Sequence, residues 1–260
     1  MRKIKAVIFD WAGTIVDFGS MDPVVALKNV FKSFQIDVSY ELVRESMGKH
    51  KKDHIRDILT SASSASQWES IYHQSWTEED VEMVYQSFNK ELIHVLSTDA
   101  EMLDGVLELF QALRERGIKI GSSTGYRKDM LDLIINQITD ERLLPDFIVT
   151  ASEVEKGRPY PDMILKNLEL MDIKDKQQVI NIGDTSVDIL SGLNAGVFSA
   201  GVLIGSNQMG LSKEEFQSLN EKEKEEIISN TQKKFEQSGA NAIARQIGDV
   251  LEIINDLERN

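Results

Sequence analysis

Short apolar runs alternate with amphipathic helical patterns along most of this chain, and that alternation limits the folds open to it. The runs are IKAVIF from Ile4, IKIGSST from Ile118, DFIVT from Asp146, VINIG from Val179 and FSAGVLIG from Phe198. Each is brief and opens into a polar or glycine-bearing loop. Such runs read as strands buried on both faces, and strands alternating with helices give a parallel sheet. The expected fold class is α/β, a doubly wound parallel sheet in a Rossmann-type core. Asn241 to Ala244 suggests a short last strand, followed by a helix with Val250, Ile253, Ile254 and Leu257 on one face.

The alternation breaks between the first run and the second. Leu27, Val30, Phe31 and Phe34 fall at i, i+3, i+4 and i+7, and Val81, Val84, Tyr85, Phe88, Leu92 and Val95 mark a long helix. Asp22-Pro23 reads as an N-cap with proline at the first helical position, Ser39 and Thr77 read as caps, and SASSAS from Ser61 reads as a turn. No convincing strand interrupts residues 20–98, which are expected to form a helical insertion in a core of residues 1–19 and 99–260. Residues 212–238 read as a charged surface helix.

Composition narrows function. With no cysteine there is no disulfide, thiolate metal site or cysteine nucleophile, which fits a reducing compartment. A net charge of −14 argues against nucleic acid as a partner. No apolar run approaches the ~20 residues of a membrane span, and the N-terminal run is too short for a signal peptide, so a cytoplasmic protein is expected. An anionic ligand would need local cations or a divalent metal.

Polar residues close the expected strands. Asp10 ends the first and Thr124 the second, Arg158 lies in the loop after the third, and Asp184 ends the fourth with Asp188 beyond it. A parallel sheet brings those ends to one edge. Packing does not require three carboxylates, a hydroxyl and a guanidinium there. Carboxylates hold Mg²⁺, guanidinium and hydroxyl groups bind phosphoryl oxygens, and a carboxylate can attack phosphorus. Taken alone, Asp10 equally suits a strand-end cap.

These residues carry a resemblance. D-x-x-G-T at Asp10–Thr14, Thr124, G-R-P-x-P-D at Gly157–Asp162 and G-D-x-x-x-D at Gly183–Asp188 resemble the haloacid dehalogenase superfamily of phosphotransferases. The helical insertion stands where that superfamily inserts its cap domain. Its phosphatases and phosphomutases usually carry a second aspartate two residues after the nucleophile, where this chain has Ala12. FDWAGTIVDFG, MGKHKKDH, GSSTGY and GRPYPD are similar to the phosphonoacetaldehyde hydrolase (phosphonatase) family, in which a cap lysine forms a Schiff base with the substrate aldehyde.

The insertion can be read independently. If helical, Met47, Lys51, His54, Ile55 and Ile58 lie near one face, and a lysine in that stripe has a lowered pKa. Gly48 stands against an unbroken helix. A snorkelling lysine and a structural histidine fit the same pattern. The resemblance implies Asp10 as nucleophile, Lys51 as the Schiff-base amine and His54 as proton carrier. It also implies Mg²⁺ held by Asp10, the Ala12 carbonyl and Asp184, with Asp188 orienting that shell. Thr124, Gly125 and Arg158 would bind the phosphoryl group, and Met47 would pack beside Lys51. Tyr126 either shapes the site or is a core aromatic. The implied substrate is a small phosphonate, and the implied assembly is a homodimer through the cap, where Trp68, Tyr72 and Trp76 serve an interface or the cap core. A phosphomonoesterase or phosphomutase, and a non-catalytic binder of a phosphorylated ligand, remain the rival readings.

Overall fold

The computed structural model describes residues 3–96 and 100–259. Six strands form one parallel sheet: β1 (Ala6–Phe9), β2 (Lys119–Thr124), β3 (Phe147–Thr150), β4 (Val179–Gly183), β5 (Phe198–Val202) and β6 (Ala242–Ala244). Their order is β3-β2-β1-β4-β5-β6, so the chain winds out one way from β1 and then returns to its other side. Val7 stands opposite Ile120 of β2 and Ile180 of β4. Side chains of β1 alternate between two apolar layers. Val7 and Phe9 join the larger cluster, and Ala6 and Ile8 pack with Ile164, Leu168 and Val179 on the other face. This explains why the run is apolar throughout.

Between β1 and β2 lie α1 (Met21–Ser33), α2 (Tyr40–Glu45), α3 (Lys51–Thr60), α4 (Ala62–Tyr72) and α5 (Glu78–Leu96). Leu27, Phe31, Val84, Phe88 and Leu92 are buried among them. Trp68 is buried and stacks at 6.1 Å on Phe34 and 4.4 Å from Tyr72, so it serves the block's own core. Two local expectations are corrected. SASSAS is not a turn: Ser61 caps α4 by accepting the Ser64 amide, and the alanines and serines after it are helical. Asp22 is not the cap of α1, because Asp17 takes the amides of Met21 and Asp22 at 2.8 and 3.1 Å. The expected resumption of the core at residue 99 lies outside the described residues.

The remaining helices flank the sheet: α6 (Val106–Glu115), α7 (Lys128–Ile135), α8 (Asp162–Leu170), α9 (Ser186–Ala195), α10 (Lys213–Ser218), α11 (Glu221–Gln237) and α12 (Val250–Arg259). The charged stretch forms two helices rather than one, and it is not all surface. Ile228, Thr231 and Phe235 of α11 are buried. The Phe235 ring fills the space over Gly201, where a Cβ would meet it at 2.7 Å. The order of the sheet reverses beside β1, so the carboxyl ends of β1, β2 and β4 open on the crevice where such sheets bind ligands.

Candidate active site

β1 delivers Asp10 to that crevice, with its backbone amide bonded to the Ile182 carbonyl at 2.9 Å. The chain then turns sharply at Gly13, whose φ is +82°. Any Cβ there would stand 2.0 Å from Asp184 Oδ2 and 2.7 Å from Ser20 Oγ. Glycine is therefore required both by its backbone angle and by the neighbouring carboxylate.

Arg158 enters from the loop before α8 and is buried. Its guanidinium donates to Asp10 Oδ1 at 2.6 Å and to Asp188 Oδ1 at 2.7 Å, and also bonds the Ser123 carbonyl and hydroxyl at 2.7 and 2.9 Å. Burial alone would weaken its charge, but Asp10 and Asp188 outweigh that and hold it cationic. Removing one member of such a buried cluster costs about 3–5 kcal/mol, because a charge is left without its partner. Asp188 is tied further by Thr185, whose amide and hydroxyl both bond Oδ2. Asp184 Oδ2 accepts from the Asn207 amide at 2.8 Å and the Ser20 hydroxyl at 3.3 Å.

Asp10, Asp184 and Asp188 bring carboxylate oxygens within 4.8 Å of one another. Burial, then Asp10 and Asp188, push the Asp184 carboxyl well above the ordinary range. Burial and Asp10 bring Asp188 up to about 6 against the pull of Arg158. The cluster is thus short of positive charge, and its donors are all oxygen. That set fits a hard divalent cation. Asp10 Oδ1 and both oxygens of Asp188 are engaged with Arg158 and Thr185. The open face of the cluster is the Asp10–Asp184 side.

Opposite the sheet edge stands the helical block. Met47 and Gly48 form a turn, with Gly48 at φ +84°, and α3 begins only at Lys51. The break expected at Gly48 is real. It makes Lys51 the first helical residue, where the positive end of the helix dipole disfavours an ammonium. Lys51 Nζ lies 5.1 Å from the centre of the Phe88 ring and 3.3 Å from His54 Nδ1. Burial lowers its pKa to about 8. His54 is fully buried, and its Nε2 lies 2.6 Å from the Val43 carbonyl. A carbonyl only accepts, so Nε2 carries the proton and Nδ1 turns a lone pair toward Lys51. Burial first, and the Lys51 charge second, hold His54 well below its ordinary pKa.

One cavity lies between the block and the sheet. All the site residues expected from the sequence line it except His54 and Asp188, which stand behind Lys51 and Arg158. Thr124 Oγ1 accepts the Tyr126 amide at 3.2 Å, which leaves its proton to donate. Tyr126 is buried, and its hydroxyl meets no partner among the described residues. Ser20, Ser123 and Asn207 take part in the site without having been expected. Ser20 and Asn207 touch Asp184, and Asn207 lies in the loop that follows β5, a strand end that carries no charged residue to draw attention to it.

A family profile described as haloacid dehalogenase-like hydrolase matches residues 4–196. The chain belongs to that family. This haloacid dehalogenase-like hydrolase is 41% identical over 256 residues to the phosphonoacetaldehyde hydrolase of Lysinibacillus sphaericus, covering 98% of this chain and 95% of that protein. It is 37% identical to a bifunctional phosphonoacetaldehyde hydrolase/aminoethylphosphonate transaminase of Clostridioides difficile, covering 99% of this chain and 40% of that longer one. Among solved structures, a phosphonoacetaldehyde hydrolase-like protein from Oleispira antarctica superposes with a TM-score of 0.95 at 33% identity, covering 98% of this chain and 93% of that one. The hydrolase therefore groups with the phosphonatase family within the superfamily.

Proposed function

We propose that this hydrolase cleaves the C–P bond of phosphonoacetaldehyde, giving acetaldehyde and phosphate. The observation that carries this reading is Lys51, an amine with a pKa of about 8 that shares one cavity with Asp10. Ala12 supports it, because a leaving alkoxide wants a proton donor and an enamine does not. Direct attack on a phosphonate would expel a carbanion. Conversion of the aldehyde to a protonated imine on Lys51 gives the departing electron pair a place to go.

In this reading His54 Nδ1 takes the hydrogen bond of the Lys51 amine and orients it toward the aldehyde carbon. Asp10 attacks phosphorus and carries the phosphoryl group as an aspartyl phosphate, which water then hydrolyses. Arg158 holds Asp10 by one oxygen and so keeps the carboxylate aimed. Thr124 donates to a phosphoryl oxygen. Gly13, Thr14, Ile15 and Val16 use their amides within the turn, so Trp11 and Ala12 supply the loop donors. Mg²⁺ would be held by Asp10, Asp184 and the Ala12 carbonyl, with Asp188 ordering the surroundings, and supplies charge neutralisation at the phosphoryl oxygens. The helical block acts as the cap that excludes water while the imine forms.

Two measurements test this. Acetaldehyde and phosphate should appear together from phosphonoacetaldehyde, and a chelator should stop their release until Mg²⁺ is restored. Borohydride added with substrate should leave an adduct on Lys51 by peptide mass spectrometry. Full activity with no adduct there would overturn the imine. A phosphomonoesterase would instead tolerate Lys51→Arg and release phosphate from sugar phosphates. The same reading places the enzyme in the cytoplasm; no helix among the described residues is long and apolar enough to cross a membrane. It implies a homodimer through the cap, where Tyr40, Tyr72, Met83 and Ile93 are exposed, and sedimentation velocity tests that.

A further inference from the structure

α5 turns Tyr85, Phe88, Asn89 and Leu92 toward the cavity, the i, i+3, i+4, i+7 spacing of one helix face. Asn89 is the odd member of that stripe. It is only 5% exposed, and neither its Nδ2 nor its Oδ1 meets a hydrogen-bond partner among the described residues. Leaving a buried polar group unsatisfied is costly, and a side-chain amide has a donor and an acceptor to satisfy. A leucine of similar size would pack there without that cost. The amide needs a partner that arrives with the ligand.

Its surroundings define that partner. The phosphonate end of a substrate is already provided for at the sheet edge by Thr124, Arg158 and Asp10. The residue preceding Asn89 is Phe88, whose ring lies beneath Lys51 Nζ at 5.1 Å. Asn89 lines the same cavity as Phe88 and Lys51, on the side of the helical block that carries the amine and where the aldehyde must sit. The oxygen of an aldehyde changes character during imine formation. As a carbonyl it accepts, and as a carbinolamine hydroxyl it also donates.

The geometry points to Asn89 as the residue that binds the aldehyde oxygen during imine formation, an inference that rests on the phosphonatase reading. The Lys51 nitrogen adds its lone pair to the aldehyde carbon, and the π electrons of the carbonyl move to oxygen, toward the Asn89 Nδ2 hydrogens. The oxygen takes the proton lost from nitrogen and becomes a hydroxyl that donates to Asn89 Oδ1. The nitrogen lone pair then expels the oxygen, which takes a second proton from solvent and leaves as water, and the protonated imine remains with its C=N bond and the other nitrogen hydrogen in place. No oxidant or reductant enters.

Asn89→Leu removes both polar atoms and relieves the unsatisfied group, so it should fold at least as well as the parent. We expect its kcat/KM for phosphonoacetaldehyde to fall about tenfold or more, the loss that follows when one ligand oxygen goes unpaired. The rate of borohydride trapping at Lys51 should fall in parallel. Inhibition by ethylphosphonate, which keeps the phosphonate and lacks the oxygen, should stay within about twofold, since uniform pocket damage would move both. Asn89→Asp retains the acceptor and removes the donor, and should be impaired as strongly. Parent-like kcat/KM in Asn89→Leu, or an equal loss with ethylphosphonate, overturns the assignment. The parent enzyme measured alongside separates the two levels. A parent with neither turnover nor adduct overturns the phosphonatase reading and this inference with it, whereas a working parent and an unimpaired Asn89→Leu overturn this inference alone.

Discussion

Lys51 becomes a usable amine through position rather than through a special partner. It opens α3 and its amine is buried out of water, and both effects favour the neutral form against the opposing pull of the Phe88 ring face on the cation. With its pKa near 8, the neutral fraction rises with pH. Borohydride trapping of the Lys51 adduct should accelerate about tenfold per pH unit below that value and level off above it. Lys51→Arg keeps a cation but removes the nucleophile, so both adduct and turnover should vanish. His54 gives a prediction in stability. Its folded pKa lies well below the unfolded value, so the unfolded chain takes up a proton on acidification that the folded chain refuses. The contribution is intact above about pH 6.5 and is lost at up to about 1.4 kcal/mol per unit below it. Urea unfolding between neutral and mildly acidic pH should show that slope, and His54→Gln should flatten it. Asp10, Thr124, Arg158, Asp184 and Asp188 are legible in the sequence because strand ends and loop motifs fix where such residues lie. Asn89 and Asn207 are not. An asparagine within a helix or loop reads as solvated until tertiary packing shows it buried.

At the scale of elements, the turn before α3 matters most. Gly48 brings the cap against the core, and a Cβ there would stand 2.3 Å from Val187 Cγ2 and 2.7 Å from Thr185 Oγ1. Its positive φ adds backbone strain to that clash. Gly48→Ala should keep the block from seating over Asp10, lowering kcat and raising KM together, while the melting temperature changes little; steady-state kinetics beside calorimetry checks both. Helix and strand identity came through in the sequence wherever apolar periodicity was strong, as in β1, β4 and α5. It failed at α4. Serines have modest helix propensity and favour turns, yet Ser61 caps the helix and the burial of Trp68 holds it in place. The Asp22-Pro23 reading sets the start of α1 two residues late for a related reason. The Asp-Pro pair is a strong local marker, but Asp17 reaches the first amides from outside the helix.

For the whole molecule, the doubly wound order was legible and the role of the charged C-terminal helices was not. Runs of Glu and Lys in α11 disguise one apolar row, Ile228 and Phe235, that covers the sheet at Gly201. Phe235→Ala should destabilise the protein by about 3–5 kcal/mol, measured by chemical denaturation, with KM unchanged because the site lies at the strand ends. Cap and core are also tied together. Arg44 of α2 donates to the Gly19 carbonyl at 2.9 Å and to Asn207 Oδ1 at 2.9 Å, and the Asn207 amide in turn holds Asp184. The central place of β1 has a consequence for biosynthesis. Its two neighbours, at Lys119–Thr124 and Val179–Gly183, leave the ribosome long after it does. Until they emerge, AVIF has no strand on either side, although the helices α1 to α5 can already form from local contacts. The strand that carries Asp10 is thus the nascent chain's longest-lived sticky segment, the part on which a chaperone would act. A chain terminated before Val179 is expected to aggregate however well its helical block folds.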